Sequence, residues 1–259
     1  MINISVIDYP VLIAFWLTFT RWFAVLFQLP IFDNTAIPSI VKVLSSLVIS
    51  YAFFPIVQTT MVTEVLNAGI ENFWFLTIFN TIVGLTIGFL VKSIMNLFVA
   101  AGGIMTQQIG FSSISYFDPS FVSSIGPIEK MMQWTIIIMI LTTGALMPMF
   151  KGVLNSFFSI SFAHVGKFSS IHIFYHNFFK GIFEAAFLLA TPILFTNLLL
   201  NMVMGIVARI IPQMNILMVS FVVSIGAGLI VFFAISEELF HVAYKMYIDR
   251  LGDWFQFVL

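Results

Sequence analysis

Residues 73–91 read FWFLTIFNTIVGLTIGFLV, an apolar run without a single charge. About 20 such residues carry an α-helix through a ~30 Å hydrocarbon core, so this run reads as a membrane-crossing helix. Polar and apolar residues do not alternate along it, which argues against a barrel strand. The apolar character continues past Lys92 to Ala101. A helix over 73–101 would be about 43 Å long at ~1.5 Å per residue, which overshoots a bilayer. Part of its surface is therefore expected to pack on protein rather than lipid.

Five further apolar runs surround it: 11–29, interrupted by Arg21; 40–57, with Lys42 near its start; 131–150, uncharged; 185–208, containing Pro192; and 214–236. Residues 152–165 stay largely apolar after the fourth run. Across 259 residues, 61% are hydrophobic and 8% are charged, against roughly 25% charged in a soluble domain. Ten Lys/Arg and eleven Asp/Glu cannot coat a soluble surface of this size. The fold class is thus all-α, a polytopic membrane protein of long kinked helices and helical hairpins. A net charge of −1 without clustered Lys or Arg argues against a nucleic-acid partner. The lack of cysteine excludes disulfides, thiolate nucleophiles and cysteine-based metal sites. No basic residue precedes the first run within residues 1–10, so that run is expected to be retained rather than cleaved as a signal.

With six crossings, one side of the membrane would carry Lys42, Lys92, Lys130 and Arg209, and the other Lys151, Lys167, Lys180, Lys245 and Arg250. That balance assigns no orientation. A single domain is the economical reading, with a softer division in the polar stretch 164–180, which separates four apolar segments from a terminal pair.

Chemistry-bearing groups are sparse. His172 and His176, at i and i+4, could share a helical face as metal ligands, but they read as solvated histidines in a polar loop. Glu238 and His241 form one Glu-x-x-His unit, without the second copy and extra carboxylates a bundle metal site needs. Glycine-rich phosphate patterns are absent. No catalytic residue, metal or cofactor is expected, and the chain does not read as an enzyme. A secondary transporter would need a path of intramembrane charges and paired broken helices. Arg21 is the one well-centred charge. Its position is too central for snorkelling, so it is expected to face protein, paired with a carboxylate or backbone carbonyls. Asn80, Asn197 and Asn201 read as interhelical hydrogen-bonding groups, and Gly84 with Gly88 as a face for close helix approach.

Two stretches ask for more. Residues 102–119 read GGIMTQQIGFSSISYFDP, too apolar for a solvated loop. Irregular backbone at membrane depth persists only inside protein or along a water-filled cavity. The stretch reads either as a partly buried interfacial loop or, more sharply, as a flexible, apolar-tipped element that fills a pore, with Gly102, Gly103 and Gly110 giving it freedom to move. Residues 209–215 read RIIPQMN. Pro212 cannot continue a helix, and the residue before it is biased away from α geometry, so this is the tight tip of a helical hairpin.

Pro212-Gln213-Met214-Asn215, preceded by Arg209, resembles the Arg-x-x-Pro-Gln-Met-Asn motif of the FliR/SctT family of export-gate proteins from bacterial flagellar and type III secretion systems. The 103–119 stretch is similar to that family's pattern of Gly, then Gln-x-Gly-hydrophobic-Ser, then Asp-Pro. Arg21, Pro30-Ile31-Phe32, Ile37-Pro38 and Lys42 also resemble it, so the likeness covers essentially the whole chain. One departure is Thr143-Gly144-Ala145-Leu146, where the family often carries Asn/Gly-Gly-His.

The resemblance implies a fusion of a FliP-like part (1–165, with a plug loop 102–120) and a FliQ-like helical hairpin part (181–259). It implies one copy of this chain in a helical ring with several FliP-like and FliQ-like subunits, beside an FlhB-like switch protein, in the bacterial inner membrane at the flagellar basal body. Unfolded flagellar subunits would pass through the ring, driven by the proton-motive force and a separate ATPase. The implied plug carries Gly103, Gln107, Ile109, Gly110, Phe111, Ile114, Tyr116, Phe117, Asp118 and Pro119, with the aromatic and aliphatic members as the seal. Arg209, Pro212, Gln213 and Asn215 would fix the hairpin tip to a neighbouring subunit. An injectisome counterpart is the alternative system.

Overall fold

The computed structural model describes residues 8–29, 38–111, 126–162, 171–213 and 215–258. Every regular element among them is helical: α1 (Tyr9–Gln28), α2 (Ser39–Ala68), a 3-10 turn (Ile70–Asn72), α3 (Phe73–Ile109), α4 (Pro127–Thr142), α5 (Leu146–Ser159), α6 (Ile171–Ile210) and α7 (Ile216–Val258). Backbone groups in lipid must be satisfied within their own segment, and helices do this locally. Five of these helices are long and apolar enough to cross a membrane, or six if α4 and α5 make up one crossing.

Proline and glycine set the boundaries. Pro10 and Pro127 open α1 and α4 in the first turn, where a missing N–H costs nothing. α2 ends at Gly69, whose φ of +84° suits a residue without Cβ. Pro55 and Pro192 lie inside α2 and α6 without ending them. Around Pro192 the hydroxyls of Thr191 and Thr196 donate to the carbonyls of Phe187 and Pro192 at 2.9 and 2.8 Å.

Three sequence expectations are corrected here. The run 131–150 is not one helix: it breaks over residues 143–145, where Gly144 takes φ +70°. The third segment does not become a loop at Gly102 but stays helical to Ile109, making α3 37 residues and about 55 Å long at ~1.5 Å per residue. His172 and His176 lie in the first turns of α6, exposed on a helix rather than in a loop.

The chain gathers into two compact units: residues 1–93, 145–176 and 251–259 in the first, and 94–144 with 177–250 in the second. In the first, α1 meets the N-terminal half of α3 at very short range. A Cβ on Gly84 would sit 2.5 Å from the Arg21 carbonyl oxygen, and one on Gly88 3.1 Å from Val25 Cα, so only glycine lets the two backbones approach this closely. Trp22, fully buried, joins α1 to α2 and α5 by stacking on Phe53 (5.3 Å between centroids) and lying beside Phe150 (5.7 Å).

The second unit holds the C-terminal part of α3, α4, and most of α6 and α7. There α3 and α4 touch through glycine as well. A Cβ on Gly102 would meet Glu129 Cα at 2.6 Å, and one on Gly126 would run into the Thr106 side chain.

Candidate functional site

In the first unit, an arginine on an apolar helix must find every donor a partner inside the protein, because water is out of reach. Arg21 is fully buried. Its Nε and Nη2 donate to Asn80 Oδ1 at 3.0 and 2.6 Å, and its Nη1 donates to the Ser156 carbonyl at 2.8 Å and to Ser156 Oγ at 3.3 Å. The guanidinium carbon lies 4.2 Å from the centre of the Phe157 ring, a cation–π contact. Asn80 is oriented by its own Nδ2, which donates to the Leu76 carbonyl at 2.9 Å. Arg21 thereby ties α1 to α3 and α5 through neutral acceptors.

The balancing negative charge comes from α2. Glu64, buried, exerts a Coulomb attraction on Arg21. Its Oε1 accepts the Phe162 backbone N–H at 2.7 Å and the Ser161 hydroxyl at 3.3 Å, which fixes the chain just beyond α5. Sequence reading singled out Arg21 and Asn80 but missed Glu64 and Ser156. Glu64 falls beyond the apolar run 40–57, and a serine carbonyl carries no sequence signal at all.

In the second unit, the implied plug begins on the last turns of α3. Gln107 is exposed, and Gly110, at φ +99°, ends the helix by donating to the Gln107 carbonyl at 3.1 Å. Gln108 Oε1 accepts from Asn197 Nδ2 of α6 at 2.6 Å. Ile109 is fully buried, and its side chain occupies the space where Gly228 of α7 would carry a Cβ. Gly110 faces Phe221 and Ile225 of the same helix. The role read for Gly102 is corrected by this packing: its missing Cβ admits α4. Gly103, half-buried, lies over the Glu129 carboxylate, whose Oε2 accepts the Gly126 N–H at 3.2 Å. Ile114, Tyr116, Phe117, Asp118 and Pro119 lie outside the described residues, as does the remainder of 112–125.

At the hairpin tip, Arg209 sits in the last turn of α6, Pro212 and Gln213 form the turn, and Asn215 precedes α7 with its Oδ1 3.5 Å from the Met218 N–H. All four side chains are exposed. Asn201 was expected to bond between helices. It is exposed instead, and its Nδ2 reaches Asn197 Oδ1 of its own helix at 3.4 Å. Glu238 and His241 are both exposed on α7. Among the described residues, no group of three His, Asp or Glu side chains is placed to hold a metal ion.

No curated protein matches the chain. A family model described as bacterial export proteins, family 1, matches residues 12–249. That span takes in the buried Arg21 cluster, the α3 terminus and the α6–α7 tip. The chain therefore belongs to the bacterial export proteins, family 1, the FliR/SctT family of type III export-gate components.

Proposed function

We propose that this chain is the FliR-like subunit of a flagellar export gate in the bacterial inner membrane. One copy joins several FliP-like and FliQ-like subunits in a ring beside an FlhB-like switch protein, and unfolded flagellar proteins leave through its centre. The protein does no covalent chemistry. It supplies a wall and, at rest, an apolar stopper rooted at Gly103, Gln107, Ile109, Gly110 and Phe111 and continuing through the aromatic stretch that ends at Asp118-Pro119. An apolar constriction stops ions because dehydrating them is costly.

The observation that carries this reading is the exposure of α6 and α7. Their most apolar windows are each only 11% buried inside the chain, while Arg209, Gln213 and Asn215 cluster at the tip between them. A greasy hairpin of helices about 60 Å long at ~1.5 Å per residue, twice the core of a bilayer, offers more apolar surface than lipid covers. Sister subunits would cover the rest.

The test is affinity purification of the tagged chain from mild detergent, together with motility and secretion assays on a strain lacking its gene. Co-elution of FliP-like and FliQ-like subunits, with loss of flagella in the deletion strain, supports the reading. A deletion strain that keeps its flagella and loses a virulence-type secretion activity instead assigns the chain to an injectisome. Recovery of a lone particle from a strain with normal secretion rejects the gate role.

A further inference from the structure

We propose that the last turn of α3 is latched onto the α6–α7 hairpin, and that release of this latch is the step that opens the export path. The inference rests on the gate reading above and adds what holds the gate shut.

Three consecutive residues make the latch. Gln108 accepts a 2.6 Å hydrogen bond from Asn197 on α6. Ile109, fully buried, fills the notch at Gly228 on α7, where a Cβ would lie 2.8 Å from its Cγ1 and 3.2 Å from its Cβ. Gly110 turns the chain at φ +99° against Phe221 and Ile225, also on α7. One helix end thus holds both arms of the hairpin.

The contact has two states by construction. The notch accepts Ile109 only at a glycine: the flanking Ala227 and Leu229, and Ser224 and Phe232 one turn away, all carry a Cβ. Nearby Gly226 has open space around it, so the fit is particular to Gly228. Sliding α7 past α3 therefore unseats Ile109 outright rather than by degrees, since packed interfaces deform in jumps. The amide pair adds a polar lock, because Gln108 and Asn197 each lose their partner when the helices part in an apolar setting. Among the five described helices long enough to span a membrane, the two hairpin arms are the least covered, with apolar windows 11% buried. A neighbour or a passing substrate that displaces either arm acts on the latch directly.

The chain has no cysteine, so a designed cross-link reports without background. In Ile109→Cys with Gly228→Cys, the two Cβ positions are close to the ~3.8 Å typical of a disulfide. Cells carrying only this double variant are compared before and after reduction with dithiothreitol. With the cross-link formed, substrate secretion is expected to fall on the order of tenfold and to recover on reduction. Equal secretion in the oxidised and reduced states, with the cross-link verified by mass, overturns the latch. Should the double variant fail to accumulate, Asn197→Leu gives the opposite test. Unlocking is expected to raise passive entry of a small solute about fivefold while export is idle, and entry at the wild-type rate overturns the proposal. A strain lacking the gene separates the two ideas. If that strain secretes normally, the gate reading itself fails; if its secretion stops while cross-linked cells export freely, only the latch fails.

Discussion

Arg21 and Asn80 meet through one oxygen: the Nε and Nη2 of the arginine converge on Asn80 Oδ1 at 3.0 and 2.6 Å in the buried heart of the first unit. A carboxamide here satisfies two donors at once without adding a second desolvated charge, which in a low-dielectric interior is expensive to bring in.

Asn80→Ala is accordingly expected to destabilise the protein by about 2–3 kcal/mol, since it strands two donors of a buried cation. Asn80→Asp keeps the oxygen that takes both arginine donors but loses the Nδ2 donor to the Leu76 carbonyl, so it should cost less than Ala without matching wild type. Thermal melting of the two variants in detergent decides this, and equal melting temperatures for Ala and wild type would remove the assigned role.

Gly84→Ala places a Cβ 2.5 Å from the Arg21 carbonyl oxygen, whereas Gly226→Ala places one in open space. Overpacking at the first position is expected to cost about 1–3 kcal/mol, and the second substitution should be neutral in the isolated chain. Comparing detergent stability of the two variants checks the close approach of α1 and α3. A harmless Gly84→Ala would contradict it.

Glu64→Ala leaves the Phe162 N–H, now bonded at 2.7 Å, without an acceptor, and takes away the negative charge that attracts Arg21. A loss of about 1–3 kcal/mol is expected. Glu64→Gln keeps an oxygen for the N–H and should lose less. Amide exchange at Phe162, measured by mass spectrometry, should quicken in Ala more than in Gln; identical exchange in all three proteins would argue against the bond.

Deletion of 110–117 removes the proposed apolar seal and the glycine that ends α3. Cells whose gate carries this deletion are expected to admit ions or small solutes that wild-type cells exclude, as a hydrophobic constriction would dictate. The readout is uptake of a membrane-impermeant dye in cells where the mutant ring assembles. Unchanged uptake would count against a plug.

Part of the candidate site was legible in single residues. Arg21 stood out because a central charge in an apolar run has nowhere to go but protein, and Asn80 because it is an amide within the uncharged run 73–91. Asn197 was legible for the same reason, and Asn201 misled for it: both are polar in one run, but they point to different surroundings. Gly102 and Gly103 read as a hinge because glycine has two uses, freedom of the backbone and close approach, and composition does not say which applies.

By itself, the sequence determined that this is a helical membrane protein. Backbone hydrogen bonds within a helix are local, and a charge content of 8% is too low to coat so much apolar surface for water, which leaves it to lipid and to protein packing. It also determined the hairpin turn at Pro212, which acts through its own ring and missing N–H. Only the tertiary structure decided which face of each helix is buried, that α3 stays helical through Gly102 and packs there against Glu129 of α4, and that the partners of Arg21 lie 59 and 135 residues away. In a chain apolar on every side, periodicity marks no preferred face. The choice passes to shape, to glycine notches and to a few polar groups that must find one another.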